Sequence, residues 1–518
     1  MKKLHTDRLS FLWLAAALAL TLVSYGAWLI PLAAWLGPIF SMRFLRTQPV
    51  WRGFPLLALL TVPVMRIVLQ GIVPMPEPMY TVFVVVAVLM SMLPYLLDRY
   101  LSPRLPGFVA TLVFPIGVTL LEFFNAQGMY GTFGSSAYTQ AGNLPLLQLL
   151  SVTGLWGIVF LMAWLASVVN WAWEQAWTWS RIRLGVGIYA GILATVFLFG
   201  FARLALNPPS DTGENQAIMV AMPSDGETIA TVNQRFANVL GRVLDGQEVA
   251  QAERVPLTEA LTANVDRLLA RSAQQAEAGA QVVYWAEGNG VILAEQEAET
   301  LAKGQALADS HDLYLGMSLA VLRPGEEKTL ENKIVLVDPD GQIVNSYVKA
   351  FPVPGGELEA SVQGDAAMPV VETPLGRLGH VICFDMDHHS YIRQAGEQGV
   401  DVLFAPANDW AEVADLHADM AVFRAIENGA ALVRPTSQGH TIAADPYGRL
   451  LGHSDFWATQ GGALTVSVPT QGVTTVYTRI GDAFVGLTAL ALVILLGWAA
   501  VAGRRRMRRA SLVPAAAD

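Results

Sequence analysis

The sequence predicts a multi-span α-helical membrane bundle joined to a water-facing α/β domain. Three observations lead there. Hydrophobic residues make up 53 % of the 518-residue chain and charged residues 15 %, and mean hydropathy is +0.41, too apolar for a soluble protein of this length. Apolar stretches of near-bilayer length crowd the first 206 residues and recur once near the C-terminus. Between them, from about Gln216, short apolar runs alternate with amphipathic helical patterns. The net charge of −10 excludes a generally basic nucleic-acid binder.

Seven segments precede the domain, at 9–25, 27–42, 54–73, 79–97, 107–121, 146–171 and 184–206, and an eighth lies at 483–502. A spanning helix needs about 20 residues, so the second reads as re-entrant or tilted. The first is no cleaved signal peptide: no small-residue cleavage site stands out, and further apolar segments follow directly. Basic residues fall in particular loops. Lys2, Lys3 and Arg8 precede the first segment; Arg43, Arg46 and Arg52 follow the second, Arg99 and Arg104 the fourth, Arg181 and Arg183 the sixth, and Arg504, Arg505, Arg506, Arg508 and Arg509 the eighth. The loops after the third and fifth segments carry no lysine or arginine. If all eight segments cross, every basic loop lies on one side. Both termini are then cytoplasmic and the α/β domain is outside. Expected boundaries are 1–206 for the membrane region, 207–480 for the outer domain, 481–503 for the last span and 504–518 for a basic tail. Arg66, inside the third segment, is expected to pair with a polar group of the bundle. The loop 122–145, rich in Gly, Ser, Asn and aromatics, reads as a re-entrant or lid element.

In the outer domain, 217–222 is a buried strand, followed by helical patterns over 232–244 and 259–278. A strand at 281–285, a helix at 295–311 and a strand at 313–320 come next. The run 332–338 enters the turn Pro339-Asp340-Gly341 and returns as 343–349. Then follow a strand at 377–384, a helix at 390–398, a strand at 400–406, a helix at 414–428 and strands at 431–435, 441–445 and 463–468. Chemistry in open α/β layers gathers at strand ends.

Three strand ends carry reactive groups: Glu287 after Tyr284-Trp285-Ala286, Lys349 after Ser346-Tyr347-Val348, and Cys383, the sole cysteine. Attack needs a thiolate, and a free thiol is mostly protonated at neutral pH, so a base is required. Glu287 can take the proton, while Lys349 and the backbone N–H of Phe384 can stabilise an oxyanion. A lone Glu or Lys at a strand end is usually a solvated terminus; all three together are much less expected by chance. His380, His388, His389 and His417, with Asp385 and Asp387, show no regular metal-ligand spacing, so no metal is expected. Asp387 or Ser390 is expected to cap the helix that follows.

The segments Tyr347-Val348-Lys349-Ala350-Phe351-Pro352-Val353-Pro354-Gly355-Gly356-Glu357, Cys383-Phe384-Asp385 and Asp401-Val402-Leu403-Phe404-Ala405-Pro406-Ala407-Asn408-Asp409-Trp410 resemble the nitrilase (carbon–nitrogen hydrolase) superfamily. With apolar segments on both sides, the chain resembles its membrane branch, the apolipoprotein N-acyltransferase family. The run Asn332-Lys333-Ile334 through Gly341, Phe423–Gly429, Arg434–Gly439 and the membrane segment Pro145–Gly157 fit that branch. The resemblance implies a four-layer α-β-β-α nitrilase-like sandwich and a Glu287-Lys349-Cys383 triad without cofactor. It also implies an acyl chain passed through a cysteine thioester from a membrane phospholipid to the α-amino group of a diacylglyceryl-cysteine lipoprotein. Glu357 would position Lys349 or the acceptor amine, with Asp385 and Asn332 in support. The implied setting is the bacterial inner membrane, with the catalytic domain periplasmic, a monomeric protein and no nucleic-acid partner. The alternative is a membrane-tethered amidase in which water resolves the same thioester. The chain departs from the family pattern at Trp285-Ala286-Glu287, where Pro usually precedes Glu, and at Phe384-Asp385, where Tyr-Glu is usual. It departs again at Met222-Pro223-Ser224-Asp225 and across 125–138.

Overall fold

A computed structural model of the chain describes residues 7–208, 217–223, 226–459 and 462–511. Lys2, Lys3, Ser224, Asp225 and residues 512–518 lie outside them, and of the side chains of 503–511 nothing is described. The chain divides into two compact units. One comprises the residues up to Gly128, Gly134–Arg203 and those from Ile480; the other comprises Met129–Phe133 with Leu204–Arg479.

The first unit is helical. Among the described residues, six helices are long and apolar enough to cross a membrane: Val50–Val68, Met79–Arg104, Gly107–Ala126, Leu155–Glu174, Trp179–Leu206 and Ala483–Ala502. Two of the eight expected segments form shorter helices at the N-terminus. Ser10–Leu22 has 13 residues and Pro31–Thr47 has 17, which at about 1.5 Å per residue fall short of a ~30 Å hydrocarbon core. The sixth segment is also corrected. Its first part breaks into the single turns Leu144–Leu147 and Leu150–Thr153, and Gly154 interrupts the chain at φ 60°, ψ −159° before Leu155–Glu174 begins. That conformation is open essentially only to glycine.

Charges gather where several helices end. Arg46 lies 2.9 Å from Asp98 and 3.1 Å from Glu174, and Arg99 donates to the carbonyls of Arg46 and Gln48. Arg43 pairs with Asp7 and stacks over Trp173. The helix ends near residues 7, 46, 98 and 174 are therefore together. Arg66 does find polar partners, Glu77 and Thr81, but at the half-exposed end of its helix rather than in the bundle interior. In the 122–145 connector, Glu122 accepts from the hydroxyls of Ser135 and Ser136, and Ser136–Gln140 forms a short helix.

The second unit is the α-β-β-α sandwich. One sheet runs in the order Leu464–Pro469, Ala217–Met222, Val282–Tyr284, Tyr314–Leu322, Leu330–Val337, Ile343–Val348, with Gly290–Leu293 also paired to Tyr314–Leu322. The other runs Leu450–Asp455, His440–Ala444, Ala431–Arg434, Val402–Phe404, Gly376–His380, Val370–Thr373. The sheets meet face to face: the Tyr284 ring stacks on Phe404 at 4.6 Å, and its hydroxyl is 2.9 Å from His380 Nδ1. Strand side chains alternate in direction, so Val283 and Trp285 turn the other way, into a core with Val265 and Leu268 of helix Gln251–Glu277. Helices His389–Glu397 and Ala414–Asn428 bury Ile392, Ala395, Ala421 and Ala425. Each such apolar side chain of Leu or Ile size removed from water contributes roughly 1.5–3 kcal/mol. His380 is thereby an inter-sheet residue, held neutral by burial, which pulls it down to about 3.

Candidate active site

Glu287 lies three residues past strand Val282–Tyr284, in a turn completed by Gly288 at φ 71°. Lys349 directly follows Ile343–Val348, and its N–H bonds the Asn332 carbonyl at 2.9 Å, bringing Asn332 alongside. The side chains then converge. Lys349 Nζ lies 2.9 Å from Glu287 Oε1 and 2.9 and 3.0 Å from the two oxygens of Glu357. Asn332 Nδ2 bridges both carboxylates, at 2.7 Å to Glu287 and 3.1 Å to Glu357. The backbone N–H groups of Asn408 and Val353 close the cage, on Glu287 Oε2 and Glu357 Oε2, each at 2.8 Å. Lys349 is 1 % exposed. Burial alone would pull its ammonium down, but Glu287, Glu357 and the Cys383 sulfur outweigh it and hold it well above the usual range. Burial would raise Glu357, and Lys349 more than offsets that, leaving it lowered.

Cys383 does not end a strand as the sequence suggests. The strand stops at His380, and the backbone continues through Val381 and Cys383 N–H bonds to the carbonyls of Phe404 and Pro406. Cys383 then opens the one-turn helix Cys383–Asp387 with φ at 47°. The left-handed region is uncommon for a side chain of this kind and costs about 1 kcal/mol or more. Asp385 holds the turn: it accepts from Ile382 N–H at 2.8 Å, Phe351 N–H at 2.8 Å and the Tyr347 hydroxyl at 2.7 Å. Its carboxylate ties the cysteine turn to the lysine loop and makes no bond to Lys349. Burial raises it to about 7 against those donors. Burial and the nearby Glu287 carboxylate push the Cys383 thiol well above its usual value, with Lys349 opposing. The resting group is a thiol.

Other expectations are corrected here. Neither Asp387 nor Ser390 caps helix His389–Glu397; His388 holds that position without a side-chain bond. Both Asp387 carboxylate oxygens are buried without a hydrogen-bond partner among the described residues, and burial raises the group to about 7. His388 stacks on Phe351, and His380 is between the sheets, so the histidines do not cluster. Among the described residues, His417 approaches the thiol: Cys383 Sγ, an Asp409 oxygen and a His417 ring nitrogen lie within 4.8 Å of one another. Metal ligation is one reading of such a trio. The Asp409 oxygens are already taken, however, by Arg434 Nη2 at 2.9 and 3.1 Å and by His417 Nδ1 at 3.0 Å. Asn408, Asp409, Arg434 and Tyr347 carry parts of the site that no motif role had marked. Asn408 and Asp409 do follow a strand-like run, the same signal that singled out Glu287.

Met129–Phe133 belongs to this unit. Thr132 donates twice to the Asp387 carbonyl, from its N–H and its hydroxyl, both at 2.8 Å. A Cβ on Gly131 would lie 2.4 Å from that same oxygen. Phe133 packs edge-on against His417.

The carbon-nitrogen hydrolase family model matches residues 249–477. The chain is 25 % identical over 429 residues to an apolipoprotein N-acyltransferase of Geobacter metallireducens, covering 77 % of this chain and 73 % of that one. It is 24 % identical to that of Gloeobacter violaceus, covering 78 % and 75 %. An amidase from Nesterenkonia sp. aligns with a TM-score of 0.41 at 18 % identity, over 54 % of this chain and 98 % of the amidase. The alignments to the acyltransferases run through membrane unit and sandwich alike, so the chain is similar to apolipoprotein N-acyltransferases over most of its length and carries a carbon–nitrogen hydrolase domain.

Proposed function

We propose that this chain transfers an acyl chain from a membrane phospholipid to the α-amino group of a lipoprotein's diacylglyceryl-cysteine, through a thioester on Cys383. The observation that carries the mechanism is the cage in which Lys349, Asn332 and the Asn408 N–H hold Glu287 beside the buried thiol. The thiol is protonated at rest, so Glu287 removes its proton as the sulfur attacks the ester carbonyl. Lys349, kept cationic by two carboxylates, and the Phe384 N–H stabilise the oxyanion. Glu287 returns the proton to the departing lysophospholipid, and the acceptor amine then resolves the thioester as an amide. Glu357 and Asn332 position Lys349 and Glu287, and Asp385 positions the cysteine turn.

The same reading places residues 207–480 outside the cytoplasmic membrane of a bacterium and both termini inside. The two short N-terminal helices leave this assignment unchanged, because a pair that both cross or both fail to cross preserves the parity. The ends near 46, 98 and 174 cluster as a common basic side requires. The test is to incubate the purified protein in detergent with phospholipid and a diacylated lipopeptide, and to follow both by mass spectrometry. The expected products are lysophospholipid and N-acylated peptide. Free fatty acid with unmodified peptide would instead identify a hydrolase.

A further inference from the structure

The acceptor presents a proton problem that Glu287 alone does not solve. An α-amino group has a pKa of about 8, so at neutral pH it arrives largely as an ammonium. Aminolysis forms the N–C bond and breaks the C–S bond, and the amide keeps one N–H. Two protons must therefore leave the nitrogen. One ends on the Cys383 sulfur, carried there by Glu287 as the thiol is restored. The other needs a second base.

We propose that His417, oriented by Asp409, is that base: it removes the ammonium proton of the acceptor before the nitrogen attacks the Cys383 thioester. The proposal rests on the acyl-transfer reading above. Asp409 accepts from His417 Nδ1, and Arg434 grips both oxygens of Asp409. Burial would raise Asp409, but Arg434 and His417 lower it, so it remains a carboxylate. A carboxylate on Nδ1–H fixes the tautomer and leaves Nε2 with its lone pair. Nε2 is buried with no hydrogen-bond partner among the described residues, in a ring with one nitrogen within 4.8 Å of Sγ. A nitrogen attacking the thioester carbon comes within two bonds of Sγ, within reach of that ring directly or through one water.

Groups from several elements face the ring. Phe133 and Trp410 flank it edge-on. Asp409 comes from the segment after Ala407, and Asp387 and Cys383 from the nucleophile turn. Arg434 comes from its strand, and Arg424 and Glu427 from the same helix as His417. Asp387 interacts electrostatically with His417, Arg424, Asp409 and Arg434, and neither of its carboxylate oxygens has a hydrogen-bond partner among the described residues. The proton then passes to water.

The test uses the full-length protein in detergent, with lysophospholipid release and acyl transfer measured separately. Two acceptors are compared, a diacylated lipopeptide and hydroxylamine, which is already neutral near pH 7. In His417→Gln, lipopeptide transfer at pH 7 is expected to fall about tenfold, the inverse of the free-amine fraction of a group with a pKa of about 8, while the lysophospholipid burst and hydroxylamine transfer keep their rates. The defect should close at a pH where the lipopeptide amine is neutral unaided. Equal loss with both acceptors would make His417 structural and overturn the proposal, as would unimpaired lipopeptide transfer. If His417→Gln fails to fold, the wild-type profile decides: a transfer rate that tracks the free-amine fraction below pH 8 overturns the proposal, and a flatter one supports it. A wild type that releases fatty acid and never acylates the peptide would overturn instead the acceptor reading beneath it.

Discussion

Cys383 is held at φ 47° by its surroundings rather than by its own preference. Glycine has no penalty there and alanine has one, so Cys383→Gly should be more stable than Cys383→Ala by about 1 kcal/mol in thermal unfolding, both being inactive. The Asp387 carboxylate has an opposite liability. Its folded pKa, about 7, lies above the ordinary 3.8, so its contribution to stability is fully present below pH 4. That contribution is lost as pH rises toward and through 7, at up to about 1.4 kcal/mol per unit. Asp387→Asn should flatten the melting temperature between pH 4 and 8; an unchanged slope would contradict the assignment. Glu287, Lys349 and Cys383 were legible in the sequence because each follows an apolar run that ends in a charged or reactive residue. Asp409 follows an apolar run too, but its pairing with Arg434 of a strand and His417 of a helix was not legible, since contacts between separate elements leave no local pattern. Asp385 shows the limit from the other side. It was read as an assistant to the chemistry, but its three donors make it the brace of the nucleophile turn.

At the scale of elements, long periodic segments were readable and short irregular ones were not. Helix Ala414–Asn428 and strand Ala217–Met222 match their expected bounds. The strands Gly290–Leu293, Val370–Thr373 and Leu450–Asp455 were missed: the first directly follows the Glu287 turn, and the other two are edge strands of mixed polarity. The sixth apolar segment hid the break at Gly154, because hydropathy does not register a backbone conformation. Gly154→Ala forces a side chain into a region reserved for glycine and should lower stability by about 1–3 kcal/mol. An unaltered melting temperature would mean that the two turns before it can realign. Tyr347 bridges Asp385, Tyr391 and the Ala350 N–H. Tyr347→Phe leaves that carboxylate one donor short and should reduce acyl-enzyme formation more than it reduces phospholipid binding.

For the whole molecule, the single cysteine makes orientation measurable. In a Cys383→Ser background, a membrane-impermeant maleimide added outside intact spheroplasts should label Glu326→Cys and not Thr178→Cys, both exposed positions. The reverse pattern would invert the proposed topology. The two-part architecture was evident from composition alone, because a bilayer and water select opposite surfaces. The lengths of the first two helices were not, since apolar runs at 9–25 and 27–42 do not mark where Ser10–Leu22 and Pro31–Thr47 begin and end.

The strand of chain from Met129 to Phe133 gives the catalytic unit a history as well as a shape. Its bond from Thr132 to Asp387 joins residues 255 apart in sequence, a long loop to close and a late contact in folding. Synthesis delivers this segment first, so it must wait, anchored at both ends in apolar helices, for its partner to emerge. A secreted fragment starting at residue 207 would lack it and should refold into a sandwich whose nucleophile turn is loosely held. Supplying a peptide of 122–145 in trans should tighten that turn, seen as slower hydrogen exchange at the amides of 383–388.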